Sequence, residues 1–477
     1  MAGRAKHVSA QEADDVDGTW EIPSHWTWQK IEDVAEINPK TSLGDLPATH
    51  PVPFIPMASV SEESGAIDAS QRRDAAAVQK GYTRFKSGDV IFAKITPCME
   101  NGKIAIVPAL PDGVAAGSTE FHVLRPNGVD PHYLFYFLVR RAYREEARRN
   151  MSGSAGQLRV PLDFLRTSPI PVPPPDEQHQ VCTRIGALFS DIADGEQALA
   201  EAREGLNTYR ASLLNAAVTG ELTAEWRRKN PPTETGADLL RRILADRRAR
   251  WEADPRNEKK RYTEAPSTLS SDLPALPSGW IWSTVIQLSV LIRNGLSTKP
   301  TGDGAGIPIL RISAVRPMEV DDTEIRWLKP RTDVRGMRAT NGDLLVTRYS
   351  GSPKYVGVGG IFRGDDPIAY PDKLIRVVIS GDEVLSSWVE MAINCGASRA
   401  FIELNTRTTA GQHGVSGETI GATPIPLPPE CEMKQALASF RTRTLALNQS
   451  SEELPHVECG KNLRQSILSA AFRGELV

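Results

Sequence analysis

The chain contains the same ordered set of short motifs twice, and this internal repeat restricts the possible folds more than any other feature. The blocks return in the same order: PSHWTW from Pro23 as PSGWIW from Pro277, Gly88-Asp89 as Gly342-Asp343, PIPVPP from Pro169 as PIPLPP from Pro424, and SLLNAAVTGEL from Ser212 as SILSAAFRGEL from Ser466. A repeat this long is a whole domain with its connector, not a solenoid unit. The segments between the blocks differ strongly, which predicts one scaffold with two different functional surfaces.

Length and pattern together predict the fold class and the domain boundaries. The 477 residues fit two domains with helical connectors. Short apolar runs bounded by Gly, Pro and Asp are typical of strands, and helices are expected at 131–149 and near 385–401, so each repeat is a mixed α/β (α+β) domain. The predicted parts are an N-terminal arm at 1–21, domain 1 at 22–175, a first long helix at 176–222, a basic central helix and linker at 223–275, domain 2 at 276–429 and a second long helix at 430–477.

A heptad pattern marks the first long helix. Its apolar residues recur in steps of four and three over about five heptads, with Gly195 in the one gap. The seam positions are Ile185, Leu188, Ile192, Leu199, Leu206, Tyr209 and Leu213 in the first long helix and Leu437, Phe440 and Leu447 in the second. Pro455 is expected to kink or break the second helix. The pattern favours packing of the two helices on each other, and packing of each helix on its own domain is the alternative.

Charge and cysteine content limit the class of protein. The formal net charge is −3, so any basic surface must be local. The most basic stretch, 223–262, has twelve Lys/Arg against seven Asp/Glu and is either a solvated face or a docking surface. Five cysteines without C-x-x-C spacing indicate a reduced, cytoplasmic protein without structural zinc. No signal peptide and no apolar run of membrane-spanning length is visible, so no membrane contact is expected.

The sequence offers no catalytic or metal site. It has no G-x-x-x-x-G-K-[ST] phosphate loop, and the Gly-rich stretches at 302–306 and 357–360 lack the G-x-G-x-x-G spacing. Asn230-Pro231-Pro232 resembles the N-P-P-aromatic loop of adenine methyltransferases, but Thr233 replaces the aromatic residue. The eight His show no paired ligand spacing. We therefore predict no catalytic residue, no metal ligand and no cofactor bound by this chain.

Two polar loops at corresponding places in the repeats carry the candidate DNA-binding residues. These are Lys94, Thr96, Asn101, Lys103, Gln157 and Arg159 in the first repeat and Arg348, Ser350, Ser352, Lys354, Tyr355, Gln412 and His413 in the second. Such side chains can contact phosphates and base edges, Gln being suited to adenine and Arg to guanine. Ordinary surface loops are the alternative. Trp26 and Trp28 could stack on bases, but a repeated Trp beside a proline is more typical of a core.

The ordered motifs resemble those of the specificity subunit of type I restriction-modification systems. The match rests on the openings PSHWTW and PSGWIW, the strand and loop ITPCMENGK, the exits PIPVPPPDEQ and PIPLPPECE, the helix ends LLNAAVTGELTAEWR and ILSAAFRGELV, and the central ADRRARWEAD. It covers nearly the whole chain. The resemblance implies two target recognition domains separated by two conserved helices that form an antiparallel coiled coil, with a pseudo-two-fold repeat. Gly195 and Pro455 depart from an uninterrupted pairing of these helices.

The resemblance also implies a function. Each domain would read one half of a bipartite, asymmetric site in double-stranded DNA, with half-sites about one helical turn (roughly 34 Å) apart. Two modification subunits would bind the conserved helices, hold S-adenosylmethionine and methylate adenine at N6. Restriction (motor-nuclease) subunits would use ATP and Mg. The chain itself would be a non-catalytic recognition subunit.

Two other functions remain open at this level. One is a single-chain restriction and methylation enzyme, which methyl transfer or nicking by the isolated chain would favour. The other is a coiled-coil protein scaffold without DNA binding, which a purified complex that discriminates no DNA sequence would favour. Neither the recognised bases, the spacer length nor the methylated adenines can be inferred from the residues.

Overall fold

The computed structural model describes residues 19–154, 156–267, 269, 272–301, 304–409, 411–452, 454 and 458–477. The chain divides into two compact units: unit 1 holds Met1–Ala200 and Pro455–Val477, and unit 2 holds Glu201–Leu454. Both units mix helices and sheets, which confirms the predicted fold class. Most of the predicted N-terminal arm lies outside the described residues.

Unit 1 is built from short strands and helices. Its strands are β1 (Thr27–Lys30), β2 (Ala35–Ile37), β3 (Pro51–Ile55), β4 (Arg72–Asp74), β5 (Thr83–Lys86), β6 (Val90–Ala93), β7 (Ile104–Ile106), β8 (Val114–Gly117), β9 (Phe121–Pro126), β10 (Ser152–Ser154), β11 (Gln157–Arg159) and β12 (Pro169–Val172). Its helices are α1 (Ile31–Val34), α2 (Ala75–Val78), α3 (Pro131–Val139), α4 (Arg141–Arg149) and α5 (Leu162–Thr167). The strands form two four-stranded sheets, ordered β2-β9-β6-β7 and β4-β3-β8-β5, and the pairs β1-β12 and β10-β11.

The long helix α6 (Pro175–Val218) begins in unit 1 and ends in unit 2. The next helices are α7 (Ala224–Lys229) and α8 (Gly236–Ala253). The strands of unit 2 are β13 (Ile281–Thr284), β14 (Ser289–Asn294), β15 (Ile307–Leu310), β16 (Val315–Arg316), β17 (Glu319–Val320), β18 (Ile325–Leu328), β19 (Arg338–Ala339), β20 (Leu344–Thr347), β21 (Tyr349–Ser350), β22 (Gly359–Ile361), β23 (Ile368–Ala369), β24 (Leu374–Ile379), β25 (Arg407–Thr409), β26 (Gln412–Gly414) and β27 (Pro424–Leu427). Its other helices are α9 (Val285–Leu288), α10 (Glu383–Ile393), α11 (Gly396–Leu404), α12 (Gly417–Ala422) and α13 (Glu430–Glu452), and α14 (Glu458–Phe472) belongs to unit 1.

The repeat in the sequence is a repeat in topology. The sheet β14-β24-β20-β22 of unit 2 has the connectivity of β2-β9-β6-β7 in unit 1, and β13-β27 corresponds to β1-β12. The repeated Gly-Asp pair sits in a turn, where Gly88 and Gly342 have positive φ angles of 83° and 89° that favour glycine. The following aspartates are buried and accept hydrogen bonds from arginines of the neighbouring strand, Arg125 at 2.8 Å and Arg376 at 2.7 Å.

Each unit has a core between its sheet and its helices, completed by the end of a repeated helix motif. In unit 1 the sheet packs on α3, and Phe472 of α14 lies with its ring centroid 4.9 Å from that of Tyr133. In unit 2 the sheet packs on α10 around Trp388, and Ala217 and Val218 of α6 join that cluster. The repeated SLLNAAVTGEL and SILSAAFRGEL motifs therefore end in equivalent cores, which explains why their apolar residues recur.

In each unit, a hydrogen bond from tryptophan to glutamate ties the start of a long helix to the repeated motif PSHWTW or PSGWIW. The indole Nε1 of Trp26 donates to Glu177 at 2.8 Å, and that of Trp280 donates to Glu432 at 2.9 Å. Both indoles are buried, so Trp26 is a core residue. The other tryptophan of the first motif, Trp28, is partly buried and packs edge-on against another tryptophan ring.

The environments of the two glutamates differ. The carboxylate of Glu432 also accepts hydrogen bonds from Thr223 at 2.6 Å and from Arg227 at 3.0 Å, and its side chain is 1% exposed. The carboxylate of Glu177 contacts His25 at 2.8 Å, and its side chain is 27% exposed. Thr223 and Arg227, which follow the SLLNAAVTGEL motif, thus cover Glu432 in unit 2.

The helices predicted at 131–149 and near 385–401 are each two helices, so these single-helix predictions were wrong. In unit 1, α3 and α4 are separated by Arg140, whose backbone is extended and whose buried guanidinium stacks 4.4 Å from the ring centroid of Phe137. In unit 2, Cys395 is extended and Gly396 has a positive φ angle of 59°. The break in unit 1 coincides with packing of Arg140 on aromatic rings, whereas that in unit 2 falls at a glycine in the left-handed region.

The long helices were predicted to pair, and in each unit α6 does contact the second one. In unit 1, Arg464 of α14 forms a bidentate ion pair with Glu196 at 2.8 Å. In unit 2, Arg210 donates to Asn448 of α13 at 2.9 Å. The second long helix consists of α13 and α14, and Pro455 lies outside the described residues.

Burial along the predicted seam is uneven. Ile185, Leu213 and Leu437 are buried, whereas Tyr209 is 48% exposed and is not covered in this structure. The remaining seam positions are partly buried: Leu188, Ile192, Leu199, Leu206, Phe440 and Leu447. Because the ends of the seam also join the cores of the units, both packing modes contribute to burying it.

We expect Glu432→Ala to lower the free energy of unfolding of unit 2 by about 3 kcal/mol, because three donors, two of them buried, lose their acceptor. Glu177→Ala is the matched control and should cost about 1 kcal/mol in unit 1, since its carboxylate and its partner His25 are partly exposed to water. Urea unfolding of the purified chain, followed by tryptophan fluorescence, measures both. Equal losses in the two variants would contradict the assigned difference in burial.

Candidate nucleic-acid interface

The two polar loops predicted in the first repeat lie side by side. Backbone contacts join them: Ile95 bridges to Arg159, Thr96 N donates to Leu158 O at 3.1 Å, and Val160 N donates to Lys94 O at 2.8 Å. The hairpin β10-β11 is therefore fastened to the loop that follows β6. We call residues 94–103 and 152–160 the unit 1 surface, of which residue 155 is not described.

The second repeat brings the corresponding loops together in the same way. Tyr349 pairs with Gly414, Ser350 pairs with His413, and Val415 N donates to Arg348 O at 3.0 Å. The strands β21, β26 and β25 form one small sheet. We call residues 348–355 and 407–415 the unit 2 surface, of which residue 410 is not described.

The two surfaces share a backbone frame but carry different side chains. Lys94 N donates to Glu120 O at 2.9 Å, and Arg348 N donates to Lys373 O at 2.8 Å. Glu120 and Lys373 therefore occupy equivalent positions, and unit 1 has a carboxylate where unit 2 has an ammonium group. Since base readout depends on the donors and acceptors presented, one scaffold can present two different recognition patterns.

Several predicted residues of the unit 1 surface already have protein partners. Asn101 Nδ2 donates to Glu62 Oε1 at 2.8 Å, Lys103 Nζ donates to Met57 O at 3.2 Å, and Thr96 Oγ1 donates to Gly156 O at 3.4 Å. Arg159 forms an ion pair with Glu120. Gln157 is exposed beside the turn of the hairpin. Asn101 and Lys103 thus hold the loop in place, whatever else they contact.

The predicted residues of the unit 2 surface are arranged around tyrosine rings. The guanidinium of Arg348 lies 4.8 Å from the ring centroid of Tyr349, and the ammonium of Lys354 lies 4.8 Å from that of Tyr355. Three further polar contacts hold these side chains. Arg348 Nη1 donates to Asp372 O at 3.3 Å, Ser352 N donates to Ser350 Oγ at 3.1 Å, and His413 Nδ1 lies 2.9 Å from Thr408 Oγ1.

A polar cleft of about 240 Å³ opens in the unit 2 surface. Its lining residues are Ile312, Ser313, Arg316, Thr347, Tyr349, Ser350, Gly351, Tyr355, Lys373 and Gln412. The guanidinium of Arg316 lies 4.8 Å from the ring centroid of Tyr355. These lining residues include two cations and no carboxylate, so the cleft suits phosphate oxygens or the acceptor edge of a base.

Three charged residues at these surfaces were not predicted from the sequence: Glu120, Arg316 and Lys373. Glu120 and Lys373 lie in unlike sequences outside the two polar loops, and only the backbone hydrogen bonds to Lys94 and Arg348 show that they are equivalent. Arg316 comes from a strand far from both loops in the sequence. No sequence signal that we can identify distinguishes these three residues from other surface charges.

A buried histidine anchors the hairpin of unit 1. His122 Nε2 donates to Val160 O at 3.1 Å, and Nδ1 faces Asn38 Nδ2 at 3.2 Å. The amide of Asn38 is oriented by Val123 N, which donates to its oxygen, so its nitrogen faces the ring. Burial, together with the charge of Lys94, lowers the pKa of His122.

Among the described residues, no group of three or more His, Cys, Asp or Glu side chains is placed to hold a metal ion. All five cysteines are free thiols. Within the same part of the chain, no helix combines the length and apolar character needed to cross a membrane.

A family model and the curated relatives of this chain agree on one kind of protein. Residues 23–202 match the family described as type I restriction modification DNA specificity domain. The chain is 27% identical to the type I restriction enzyme EcoEI specificity subunit of Escherichia coli, over 86% of this chain and 76% of the relative. It is 28% identical to the EcoKI specificity subunit of Escherichia coli strain K12, over 84% of this chain and 81% of the relative.

Solved structures show the same fold. A chain from a study of complex assembly and conformational transition of the type I R-M system has a TM-score of 0.63 at 18% identity, with 96% of this chain and 100% of that chain covered. The HsdS subunit from Thermoanaerobacter tengcongensis has a TM-score of 0.54 at 18% identity, again covering 96% and 100%.

Acidification should destabilise unit 1 through His122. Because its folded pKa is lowered, the unfolded chain binds the proton first, so stability falls as the pH drops below about 6.5 towards the folded pKa. Thermal unfolding of the wild-type chain between about pH 5 and pH 8 measures this loss. His122→Gln should flatten the pH dependence, and His179→Gln, an exposed control on α6, should not. Identical pH profiles for all three proteins would contradict the assignment.

Proposed function

This chain belongs to the family of type I restriction-modification specificity subunits, and we propose that its two units each read one half of a bipartite, asymmetric DNA site. The observation that carries the proposal is the shared backbone frame with different side chains. Hydrogen bonds at equivalent positions hold the unit 1 surface and the unit 2 surface. Two unlike sets of donors and acceptors on one frame suit two unlike half-sites.

The proposal makes the chain a non-catalytic subunit that positions its partners. Two modification subunits would hold S-adenosylmethionine and methylate adenine at N6, and restriction subunits would use ATP and Mg. The paired helices support this role, because the repeat gives two similar partner subunits equivalent surfaces to bind. The complex would act in the cytoplasm, where its double-stranded DNA target lies.

The charge distribution supports DNA contact at both surfaces. With a formal net charge of −3 the whole chain does not attract DNA, so the attraction must be local. Lys94 precedes the loop of the unit 1 surface, and Arg316 and Lys373 line the cleft of the unit 2 surface. Cations at these places can neutralise phosphates while neighbouring polar groups face base edges.

Lys94→Ala and Arg348→Ala should each weaken specific DNA binding by the assembled complex by about tenfold, because each removes a cation at the start of a recognition loop. Binding is measured by titration of the cognate duplex at fixed salt concentration. Lys80→Ala in unit 1 and Lys329→Ala in unit 2 remove exposed charges elsewhere and serve as controls. Unchanged affinity and discrimination in both test variants would remove these residues from the reading surface.

Exchange of residues 22–175 for the same segment of a relative should change only one half of the recognised site, because the readers are independent. Mapping of methylated adenines in a host genome that carries the chimeric complex gives the new site. A change in both halves would show that the two units do not read separately. Methyl transfer by the isolated chain would instead favour a single-chain enzyme.

A further inference from the structure

One arginine of the unit 1 surface is held by a carboxylate in a way that leaves part of its donor set unused. Arg159 Nε and Nη2 each donate to one oxygen of Glu120 at 2.9 Å, which is a side-on, bidentate pair. Such a pair fixes the plane of the guanidinium. The side chain of Arg159 remains 42% exposed, whereas that of Glu120 is 26% exposed.

Both members of the pair are positioned by the backbone frame. Glu120 directly precedes β9, and its carbonyl accepts the hydrogen bond from Lys94 N at 2.9 Å. Arg159 ends β11 and bridges to Ile95. Hydrogen bonding by Arg159 lowers the pKa of Glu120, so the carboxylate stays charged at neutral pH. The guanidinium is thus preorganised before any ligand arrives.

The remaining donors match the edge of one base. A guanidinium has five N–H donors, of which Glu120 takes two and Gln157 O takes one from Nη1 at 3.4 Å. Among the described contacts, one donor is left on each terminal nitrogen. Two donors, one on each terminal nitrogen, match in number the O6 and N7 acceptors that guanine presents in the major groove.

Electrostatics argues for a base contact over a phosphate contact. The pair of Arg159 and Glu120 has no net charge, and a carboxylate beside a phosphate is repelled by it. An uncharged base edge does not impose this repulsion. We infer that Glu120 is a positioning residue that aims Arg159 at a guanine in one half of the target. The inference deepens the proposed DNA-reading function and rests on it.

Unit 2 has no such pair at the corresponding place. The residue equivalent to Glu120 is Lys373, and the residue equivalent to Arg159 is Gly414, which pairs with Tyr349 as Arg159 bridges to Ile95. A change at Arg159 should therefore affect one half-site and leave the other unchanged. The unaltered half serves as an internal control for folding and assembly.

The test is a selection of DNA by the assembled complex from duplexes in which every position of both half-sites is randomised in turn. With the wild-type chain, one position of the half-site read by unit 1 should require guanine. Arg159→Ala should reduce the preference for guanine there by about tenfold or more and leave all other positions unchanged. Arg159→Lys should lose the preference as well, because an ammonium lacks the fork.

Glu120→Gln keeps Arg159 but removes the carboxylate that orients it, so this variant tests the positioning role of Glu120. Glu120→Gln should partly reduce the preference for guanine at the same position. Glu120→Asp should retain more of that preference, because Asp keeps the carboxylate. Arg84→Ala, which removes an arginine from another sheet of unit 1, should change no position. If the wild-type complex selects a DNA sequence and both Arg159 variants keep the same base preferences, this inference is overturned and the proposed function stands.

A uniform loss of affinity in Arg159→Ala would also overturn it, since that result indicates a phosphate contact. The dependence of affinity on salt concentration is the second readout: a phosphate contact would lower the slope by about one, and a base contact would not. If the wild-type complex selects no sequence at all, the proposed function fails, and the inference fails with it. These outcomes are distinguishable in one experiment.

Discussion

A hydrogen bond between a buried tryptophan and a glutamate secures each unit to a long helix, and the arrangement of the rest depends on it. Trp26 with Glu177, and Trp280 with Glu432, join a repeated tryptophan motif to the first turn of a long helix. The strand that follows each tryptophan pairs with the proline-rich strand that precedes the helix. Removing the acceptor costs most where it is buried, as at Glu432, and in both units the hydrogen bond fixes the start of the helix.

Backbone hydrogen bonds hold the unit 1 surface and the unit 2 surface in the same way, and the two surfaces differ in their side chains. Carbonyl and amide groups of Lys94 and Arg348 make the same contacts in the two units, although the surrounding sequences differ. Backbone hydrogen bonds do not depend on side-chain identity, so the frame tolerates replacement of the residues that face a ligand. That property suits the proposed reading of two different half-sites, and it follows from local geometry in each unit.

Side chains of the predicted loops divide into those that build the surface and those that face outward. Asn101 and Lys103 were candidates because of their chemistry, yet their polar atoms bind Glu62 and the carbonyl of Met57. Gln157 and Gln412 are exposed, and Gln412 lines the cleft. Loops of this kind carry both classes at adjacent positions, because a loop must satisfy its own polar groups before it can present others.

The repeat, the mixed fold, the long helix and the matched loops could all be inferred from the residues, because periodicity, turn residues and repeated motifs are local signals. The break at Arg140 could not, since its guanidinium packs on aromatic rings that folding brings to it. Nor could the pairing of Arg159 with Glu120, or the place of Arg316 and Lys373 in the cleft. Partners that are far apart in sequence meet only when the chain folds, and it is their hydrogen bonds that decide which donors remain to face a ligand.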